Sequence, residues 1–168
     1  MTHKSLSFLF SGLFITILLD QAIKFWVVQT IPLETKIPLL PFISLYHVRN
    51  SGIAFSFLSS FSHWGLIAFT LIIIIFLLWF WKNIEHDKIL THFGIVLILG
   101  GAIGNLIDRV RVHYVTDYIS FHIDGIFSFA IFNLADTFIT LGSIAVLIDE
   151  FRILLRKKHY TNNDTSIK

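Results

Sequence analysis

The chain of 168 residues contains no cysteine and unusually little charge. The absence of cysteine excludes thiol catalysis, disulfide bonds and any metal site built from thiolates. Only 14% of the residues are charged, whereas 55% are hydrophobic and the mean hydropathy is +0.75. Soluble domains typically contain about 25% charged residues. The composition therefore excludes a soluble globular fold of this size and predicts a membrane protein with several spans.

Proline is also scarce, and all three prolines lie between residues 32 and 41. They exclude a continuous helix there, because proline removes a backbone donor and clashes with the preceding turn. The stretch that follows, residues 42–48, is rich in aromatic and β-branched residues and predicts a strand. Asn50-Ser51-Gly52 then predicts a turn. We therefore expect residues 31–62 to form a folded segment outside the membrane.

Four apolar runs are long enough to cross a bilayer as helices. The predicted spans are residues 6–28, 64–81, 89–107 and 132–155. A second extramembrane segment, residues 110–131, has alternating apolar residues around Asp124-Gly125, which predicts a β-hairpin. The predicted fold class is an all-α membrane protein, a single polytopic domain over residues 1–168. It has four transmembrane helices and a small extracytoplasmic β-rich cradle segment.

The basic residues predict the orientation, because cytoplasmic loops carry an excess of lysine and arginine. Four spans place both termini on one side, together with Lys4, Lys82, Lys88, Arg152, Arg156, Lys157 and Lys158. The other side holds only Lys36, Arg49 and Arg111. The termini are therefore expected in the cytoplasm. The two extramembrane segments and the polar ends of spans one, three and four then meet at the opposite face.

Polar side chains gather near that face, and ionisable residues in membrane segments indicate function by default because they are costly there. The set is Asp20, Lys24, Asn50, Asn105, Asp108, Arg109, Asp117, Asn133 and Asp136. Some members have a simpler explanation. Asp20 and Lys24 can neutralise each other as an i, i+4 pair, and a helix dipole favours Asp136 in a first turn. Asp124 is interpreted as a turn residue only.

The stretch from Gly100 to Arg109 combines small residues with charge. Gly100 and Gly104 are one turn apart, so their face of the helix lets another backbone approach closely. Asn105, Asp108 and Arg109 share a face at the end of the same helix. The pattern predicts either a binding site or a packing face that ends in ordinary interfacial charges.

Two aspartates outside this stretch indicate possible chemistry. Asp117 follows span three and Asp136 begins span four, so the two carboxylates can meet. Carboxylates about 3 Å apart do not both ionise easily, so one can act as acid and the other as base. No HExxH spacing is present, and His113 with Asp117 at i, i+4 is only a weak indication of metal. We expect no metal and no cofactor.

Five blocks of the sequence resemble those of the bacterial lipoprotein signal peptidases (signal peptidase II), in family order and spacing across nearly the whole chain. They are Asp20-x-x-x-Lys24, Asn50-x-Gly52-x-Ala54-Phe55, Gly100-Gly101-Ala102-x-Gly104-Asn105-x-x-Asp108-Arg109, Val115-x-Asp117-Tyr118 and Phe132-Asn133-x-Ala135-Asp136. Two departures are visible. Tyr118 stands where phenylalanine is more usual, and Ala22-Ile23 lacks the hydroxyl that often precedes the lysine.

The resemblance implies an aspartic endopeptidase of the bacterial cytoplasmic (inner) membrane, with its active site at the extracytoplasmic face. It would remove signal peptides from prolipoproteins by cutting before the diacylglyceryl-modified cysteine. The implied catalytic pair is Asp117 and Asp136, and the implied binding or supporting residues are Asp20, Lys24, Asn50, Gly101, Gly104, Asn105, Arg109 and Asn133. The expected partners are lipid-modified prolipoproteins and membrane lipid. Nucleic acid is not expected as a partner. The protein is expected to be a monomer.

Three alternatives remain open at this point. The clustered aspartates fit a proton- or ion-coupled membrane carrier, although they gather at one face instead of tracing a path across the membrane. Ser51 with Lys24 fits a serine peptidase that uses a lysine base. A purely structural scaffold leaves the clustered aspartates unexplained.

Overall fold

Four long helices and four short strands make up the described part of the chain. The computed structural model describes residues 3–52, 63–85, 87–123 and 126–165, with side chains between residues 5 and 155. The helices are α1 (His3–Thr30), α2 (His63–Asn83), α3 (Ile89–Val112) and α4 (Leu134–Thr165). The strands are β1 (Lys36–Leu40), β2 (Ile43–Asn50), β3 (Val115–Ile123) and β4 (Phe127–Ser128). The expected mostly helical fold with a small β segment is confirmed.

Three of the helices are long and apolar enough to cross a membrane, namely Ser5–Thr30, His63–Asn83 and Ile89–Val112. Helix α4 is also long, but Asp136, Asp149 and Glu150 limit its uncharged stretch to residues 137–148. Among the described residues three helices therefore meet both criteria, and the fourth predicted span stays a prediction.

Helix α3 is the central element of the bundle. In the most apolar 18-residue stretch of α3, 56% of the residues are buried, whereas the corresponding stretches of α1 and α2 are each 17% buried. Its side chains form a core with the neighbouring helices, made of Leu9, Ile74, Leu77, Trp81, Ile95, Val96, Leu99 and Ala102. Large side chains on the outer faces remain exposed, such as Trp64, Ile75 and Trp79 of α2. A bundle with apolar side chains both inside and outside suits a lipid surrounding.

Glycines let α3 approach its neighbours closely. A Cβ atom added to Gly94 would lie 2.6 Å from the carbonyl oxygen of Gly142 on α4. One added to Gly142 would collide with the carbonyl oxygen of Gly94 in turn. Backbones that touch in this way fix how far α3 can rotate or slide against α4. The polar residues at the ends of the two helices are thereby held in register.

An antiparallel sheet in the order β1-β2-β3-β4 covers one end of the bundle. The predicted strand over residues 42–48 is confirmed as β2, which pairs with β3. Between Leu45 and Val48 the register shifts, and beyond the shift Val48 lies opposite Asp117. This irregularity sets which residues of β2 flank Asp117.

Two turns were expected beside the sheet, one after β2 and one between β3 and β4. The N–H of Gly52 donates to the side-chain oxygen of Asn50 at 3.0 Å, which closes the predicted turn. Ile123 pairs with Phe127, as the predicted hairpin requires. Asp124 and Gly125 at its tip lie outside the described residues, and so do Ala54 and Phe55 of the second sequence block.

Candidate active site

The first turn of α4 is closed by a reciprocal pair of hydrogen bonds. Asn133 precedes the helix, and its side-chain oxygen accepts the N–H of Asp136 at 3.0 Å. The N–H of Asn133 donates back to Oδ2 of Asp136 at 3.2 Å. This is a capping box, in which two otherwise unpaired N–H groups find acceptors. One carboxylate oxygen of Asp136 is therefore fixed by its own helix start.

The next two N–H groups of α4 bind side chains from distant elements. Leu134 donates to the hydroxyl oxygen of Tyr118 on β3 at 3.1 Å. Ala135 donates to Oδ1 of Asp20 on α1 at 3.0 Å. A carboxylate is favoured there because the helix N-terminus carries partial positive charge. The start of α4 is thus fastened to both the sheet and α1.

Asp117 receives one amide donor on each carboxylate oxygen. Asn133 Nδ2 donates to its Oδ1 at 2.6 Å, and Asn50 Nδ2 donates to its Oδ2 at 2.8 Å. The residue is 1% exposed at the start of β3. Asn133 therefore touches both aspartates, through its side chain to Asp117 and through its backbone to Asp136. The sequence-based expectation that these two aspartates come together is consistent with this geometry.

Asn105 of α3 completes the links between the two carboxylates. Its Nδ2 donates to Oδ1 of Asp136 at 2.8 Å, and its Oδ1 accepts from Asn133 Nδ2 at 3.2 Å. All four carboxylate oxygens of the pair thus accept an N–H from an asparagine. Each oxygen keeps one lone pair, which can face water or share a proton.

The surroundings of Asp117 favour its protonated form. Burial, and then the nearby charge of Asp136, raise the pKa of Asp117 to about 6, against the lowering effect of the hydrogen bonds from Asn50 and Asn133. A carboxyl with such a pKa exchanges a proton readily near neutrality. The site therefore combines one carboxyl that can be protonated near neutrality with a second carboxylate that Asn133 and Asn105 link to it.

Comparison with known proteins assigns most of the chain to one family. A model of the family described as signal peptidase (SPase) II matches residues 13–152. The chain belongs to the signal peptidase II family. It is therefore a peptidase, and with its apolar helices it is a multi-pass protein of a bacterial inner membrane.

Individual relatives are similar over most of their length. The lipoprotein signal peptidase of Bartonella bacilliformis is 72% identical over 95% of this chain and 97% of the relative. That of Brucella ovis is 46% identical over 84% of this chain and 89% of the relative. A solved bacterial membrane enzyme, determined by the in meso method at 2.3 Å, is 29% identical with a TM-score of 0.78. The match covers 87% of this chain and 88% of that one.

Beside the carboxylate pair, a buried lysine links α1 to α3. Lys24 Nζ lies 2.9 Å from Oδ2 of Asp20 and 2.9 Å from Oδ2 of Asp108. It also donates to Oδ1 of Asn105 at 2.8 Å. The three donors of the ammonium thus have three acceptors. Asp20 is 0% and Lys24 3% exposed, so both lie beneath the surface on which substrate was expected to rest.

Arg109 connects the end of α3 to the loop after β2. Its Nη2 donates to the carbonyl oxygen of Gly52 at 3.1 Å, and its charge attracts Asp136 and Asp117. The side chain is only partly buried, and its Nη1 donates to the carbonyl oxygen of Asn105 at 3.5 Å. Among the predicted binding residues, Arg109 is therefore better placed than Lys24 to reach a bound molecule.

The small-residue face of α3 packs against the chain's own helices. A Cβ atom on Gly100 would collide with Thr16 of α1, and one on Gly101 with the carbonyl oxygen of Ala135 on α4. One on Gly104 would lie 2.5 Å from Oδ2 of Asp20. Of the two interpretations that the sequence left open for this face, the structure shows the packing face, because α1 and α4 fill the space beside it. They support the site by letting the helices meet.

An apolar cavity of about 420 Å³ adjoins Asp136 on the other side of α4. It is lined by Phe129, Ala130, Ile131, Phe132, Asp136, Thr137, Ile139, Thr140 and Leu141. Asp136 belongs both to this cavity and to the hydrogen-bonded pair. The cavity therefore brings an apolar surface to the edge of the carboxylate pair.

Two site residues were missed by sequence reasoning. Gln21 Nε2 donates to Oδ2 of Asp20, to the carbonyl oxygen of Gly104 and to Oδ1 of Asp108. Its position next to Asp20 was the only available signal. Tyr118 was noted as a departure from the family pattern, but not as the partner of the α4 N-terminus.

His113 pairs with His63 at 2.9 Å, and no metal-binding group of three is found among the described residues.

Proposed function

We propose that this chain is an aspartic endopeptidase that removes signal peptides from diacylglyceryl-modified prolipoproteins, cutting just before the lipidated cysteine. Asp117 and Asp136 are the catalytic pair. The observation that carries the proposal is the set of four asparagine hydrogen bonds that tie the two carboxylates into one network. The lipoprotein signal peptidase names of the relatives support the substrate class.

The chemistry follows from a pair that shares one proton. The ionised carboxylate takes a proton from water while the water oxygen attacks the scissile carbonyl carbon. The protonated carboxyl gives its proton to the carbonyl oxygen, so a neutral tetrahedral diol forms. As the diol collapses, the C–N bond breaks, one carboxyl gives its proton to the leaving amine, and the other carboxylate takes a proton from a diol hydroxyl, which restores the pair. The raised pKa of Asp117 suits the role of the protonated partner.

The membrane arrangement is part of the proposal. Four spans with both termini in the cytoplasm place the sheet and the carboxylate pair at the extracytoplasmic face. The distribution of lysine and arginine supports this orientation. A lipid-anchored substrate reaches such a site by lateral diffusion, and water reaches it from outside the membrane.

The apolar cavity beside Asp136 provides room for the apolar part of the substrate. Its aromatic and aliphatic lining favours a lipid chain or a hydrophobic segment of signal peptide over a polar peptide. Arg109 is bound to the carbonyl of Gly52 and attracted by both aspartates, and it is proposed to contact substrate backbone carbonyls. Asn50 joins the loop to Asp117, so the cradle and the carboxylate pair are positioned together.

The test uses the purified protein in liposomes with two forms of one prolipoprotein, with and without the diacylglyceryl group on cysteine. We expect the lipid-modified form to be shortened to a product that begins with the modified cysteine, as seen by mass spectrometry. The unmodified form should be cut much more slowly. Equal cleavage of both forms would remove lipid recognition from the proposal, and a product with another N-terminus would contradict the cleavage site.

A further inference from the structure

The three asparagines around the carboxylate pair are oriented in two different ways. Asn133 and Asn50 each accept a backbone N–H on the side-chain oxygen, from Asp136 and Gly52 respectively. Their amide nitrogens must then face the aspartates. Asn105 lies inside α3, about two turns before its end, and its side-chain oxygen has no such backbone partner among the hydrogen bonds of the described residues. Its orientation must be set by something else.

The side-chain oxygen of Asn105 faces Lys24. The Nζ–Oδ1 distance is 2.8 Å, shorter than the 3.2 Å to Asn133 Nδ2. An ammonium group has only donors, so it can bind the oxygen of an amide and not the nitrogen. A flipped Asn105 would place its NH₂ against two donors and its oxygen against Asp136. Charge-assisted bonds of this kind are roughly twice as strong as neutral ones.

We infer that Lys24 positions the catalytic carboxylates through Asn105, by fixing which of its two amide atoms faces Asp136. The inference rests on the function proposed above and adds a role for a lysine that is only 3% exposed. Lys24 is therefore a positioning residue. Asp20 and Asp108 hold its ammonium. With its oxygen facing the ammonium, Asn105 donates its Nδ2 to Asp136 and accepts from Asn133.

A structural role for Lys24 is the competing explanation, because removing one partner of a buried ion pair destabilises a fold. The double variant Lys24→Met with Asp108→Asn removes one positive and one negative charge together, so the net charge of the cluster does not change, and the Asp20 carboxylate keeps the N–H of Ala135 and the amide of Gln21 as donors. Lys88→Met is the control. Lys88, just before α3, also forms a 2.9 Å ion pair, with Glu150 of α4, and it lies far from the site. Thermal unfolding in detergent checks that each variant folds.

In the double variant we expect kcat to fall by about tenfold or more with little change in KM, since small misplacements of reacting groups can cost about 10²-fold. The positive charge of Lys24 lowers the pKa of Asp117, so the alkaline limb of the pH profile should move to higher pH. Of the other charged groups around Asp117, Asp20, Asp136 and Arg109 remain and Asp108 is removed with Lys24; Asp136 is the other charge that acts on the pKa of Asp117. Wild-type kcat with an unshifted limb would overturn the inference.

A double-mutant cycle shows whether Lys24 acts through Asn105. In an Asn105→Leu background, the Lys24→Met/Asp108→Asn pair should cause no further loss of kcat, because the intermediary is already gone. If the loss of kcat from the Lys24/Asp108 pair and the loss from Asn105→Leu instead multiply in the combined variant, the inference is overturned. If the proposed function itself fails, activity will instead persist in Asp117→Asn or Asp136→Asn, which is a different result.

Chemical rescue provides a second test that does not depend on the double variant. The chain has no cysteine, so Lys24→Cys introduces a single thiol. Alkylation with 2-bromoethylamine in the denatured state, followed by reconstitution, restores an ammonium at the length of lysine. Bromopropane gives a neutral chain of the same length. We expect activity to return only with the amine, and rescue by both reagents or by neither would contradict the inference.

Discussion

Two ion pairs of equal length lie at opposite ends of α3, and they differ in their surroundings. At the end next to the sheet, called the sheet end, Lys24 lies 2.9 Å from Asp20 and from Asp108, with side chains 0–8% exposed. At the other end, called the Lys88 end, Lys88 lies 2.9 Å from Glu150, with side chains 21% and 43% exposed. Distance is the same in both places. Burial and the number of partners decide what each pair does.

The Lys88 end holds helices together without building a site. Asp149 of α4 accepts both the N–H and the hydroxyl of Thr91, at 3.1 and 2.7 Å. It thereby caps the first turn of α3, where Lys88 supplies no side-chain cap. The sheet end also caps a helix, with Asp20 at the start of α4. There the capping group continues into a buried network that contains three further carboxylates, those of Asp108, Asp117 and Asp136.

The largest expected difference between the two ends is in activity. Asp117→Asn and Asp136→Asn at the sheet end should each reduce kcat by about 10²–10⁴-fold, because asparagine keeps the shape but exchanges no proton. Losing both should cost little more than losing one, since the two act as a unit. Turnover of lipid-modified prolipoprotein measures the effect.

Asp87→Asn is the control for these variants, because it removes an exposed carboxylate near the Lys88 end. It should retain wild-type turnover. Near-normal turnover in either Asp117→Asn or Asp136→Asn would assign the chemistry to the wrong residues.

The next largest difference concerns stability. Asp20→Ala removes an acceptor of Lys24 and leaves the N–H of Ala135 unpaired, so we expect a loss of about 3–5 kcal/mol. Glu150→Ala breaks an ion pair of the same length near the surface and should cost at most about 1 kcal/mol. Unfolding free energies from denaturant titration in mixed micelles compare the two. Similar losses of unfolding free energy in the two variants would mean that burial does not make the sheet-end ion pairs more important for stability than the pair at the Lys88 end.

The sequence predicted the sheet end in outline but not in detail. Asp117 and Asp136 were expected to meet because the topology brings the start of span four next to the end of span three. The contact of Lys24 with Asp108 joins residues 24 and 108, and it depends on how α1 is rotated against α3. That rotation is set by close contacts such as Thr16 with Gly100, which no local pattern encodes.

The role of the glycines was left open by the sequence for the same reason. A small-residue face predicts close approach but does not name the partner. In this chain the partners are α1 and α4, so the face is a packing face. The cavity beside Asp136 arises instead from residues 129–132 and α4, whose packing against each other has no short sequence signature.

A smaller effect at the sheet end should appear as a shift in pH dependence. A pair that shares one proton loses activity as pH rises through the raised pKa of Asp117, about 6, because the proton is then lost. The hydrogen bond from Asn50 lowers that pKa, so Asn50→Ala should raise it and move the alkaline limb of kcat/KM to higher pH. Asn83→Ala, an exposed asparagine of α2, is the control and should leave the limb in place. A limb that moves to lower pH in Asn50→Ala would contradict the assignment of Asp117.

The smallest expected effect comes from Tyr118, the departure from the family pattern at the sheet end. Tyr118→Phe removes only the acceptor of the Leu134 N–H and leaves the ring packed against Val27 and Ile31. A net hydrogen bond contributes about 0.5–1.5 kcal/mol, so the free energy of unfolding should fall by that amount. Activity should stay within about twofold, because the four asparagine bonds to the carboxylates do not involve the hydroxyl. Tyr46→Phe, a tyrosine of β2, is the control for loss of a hydroxyl. A large loss of kcat in Tyr118→Phe would show that the start of α4 must be held by this hydroxyl before Asp136 can act.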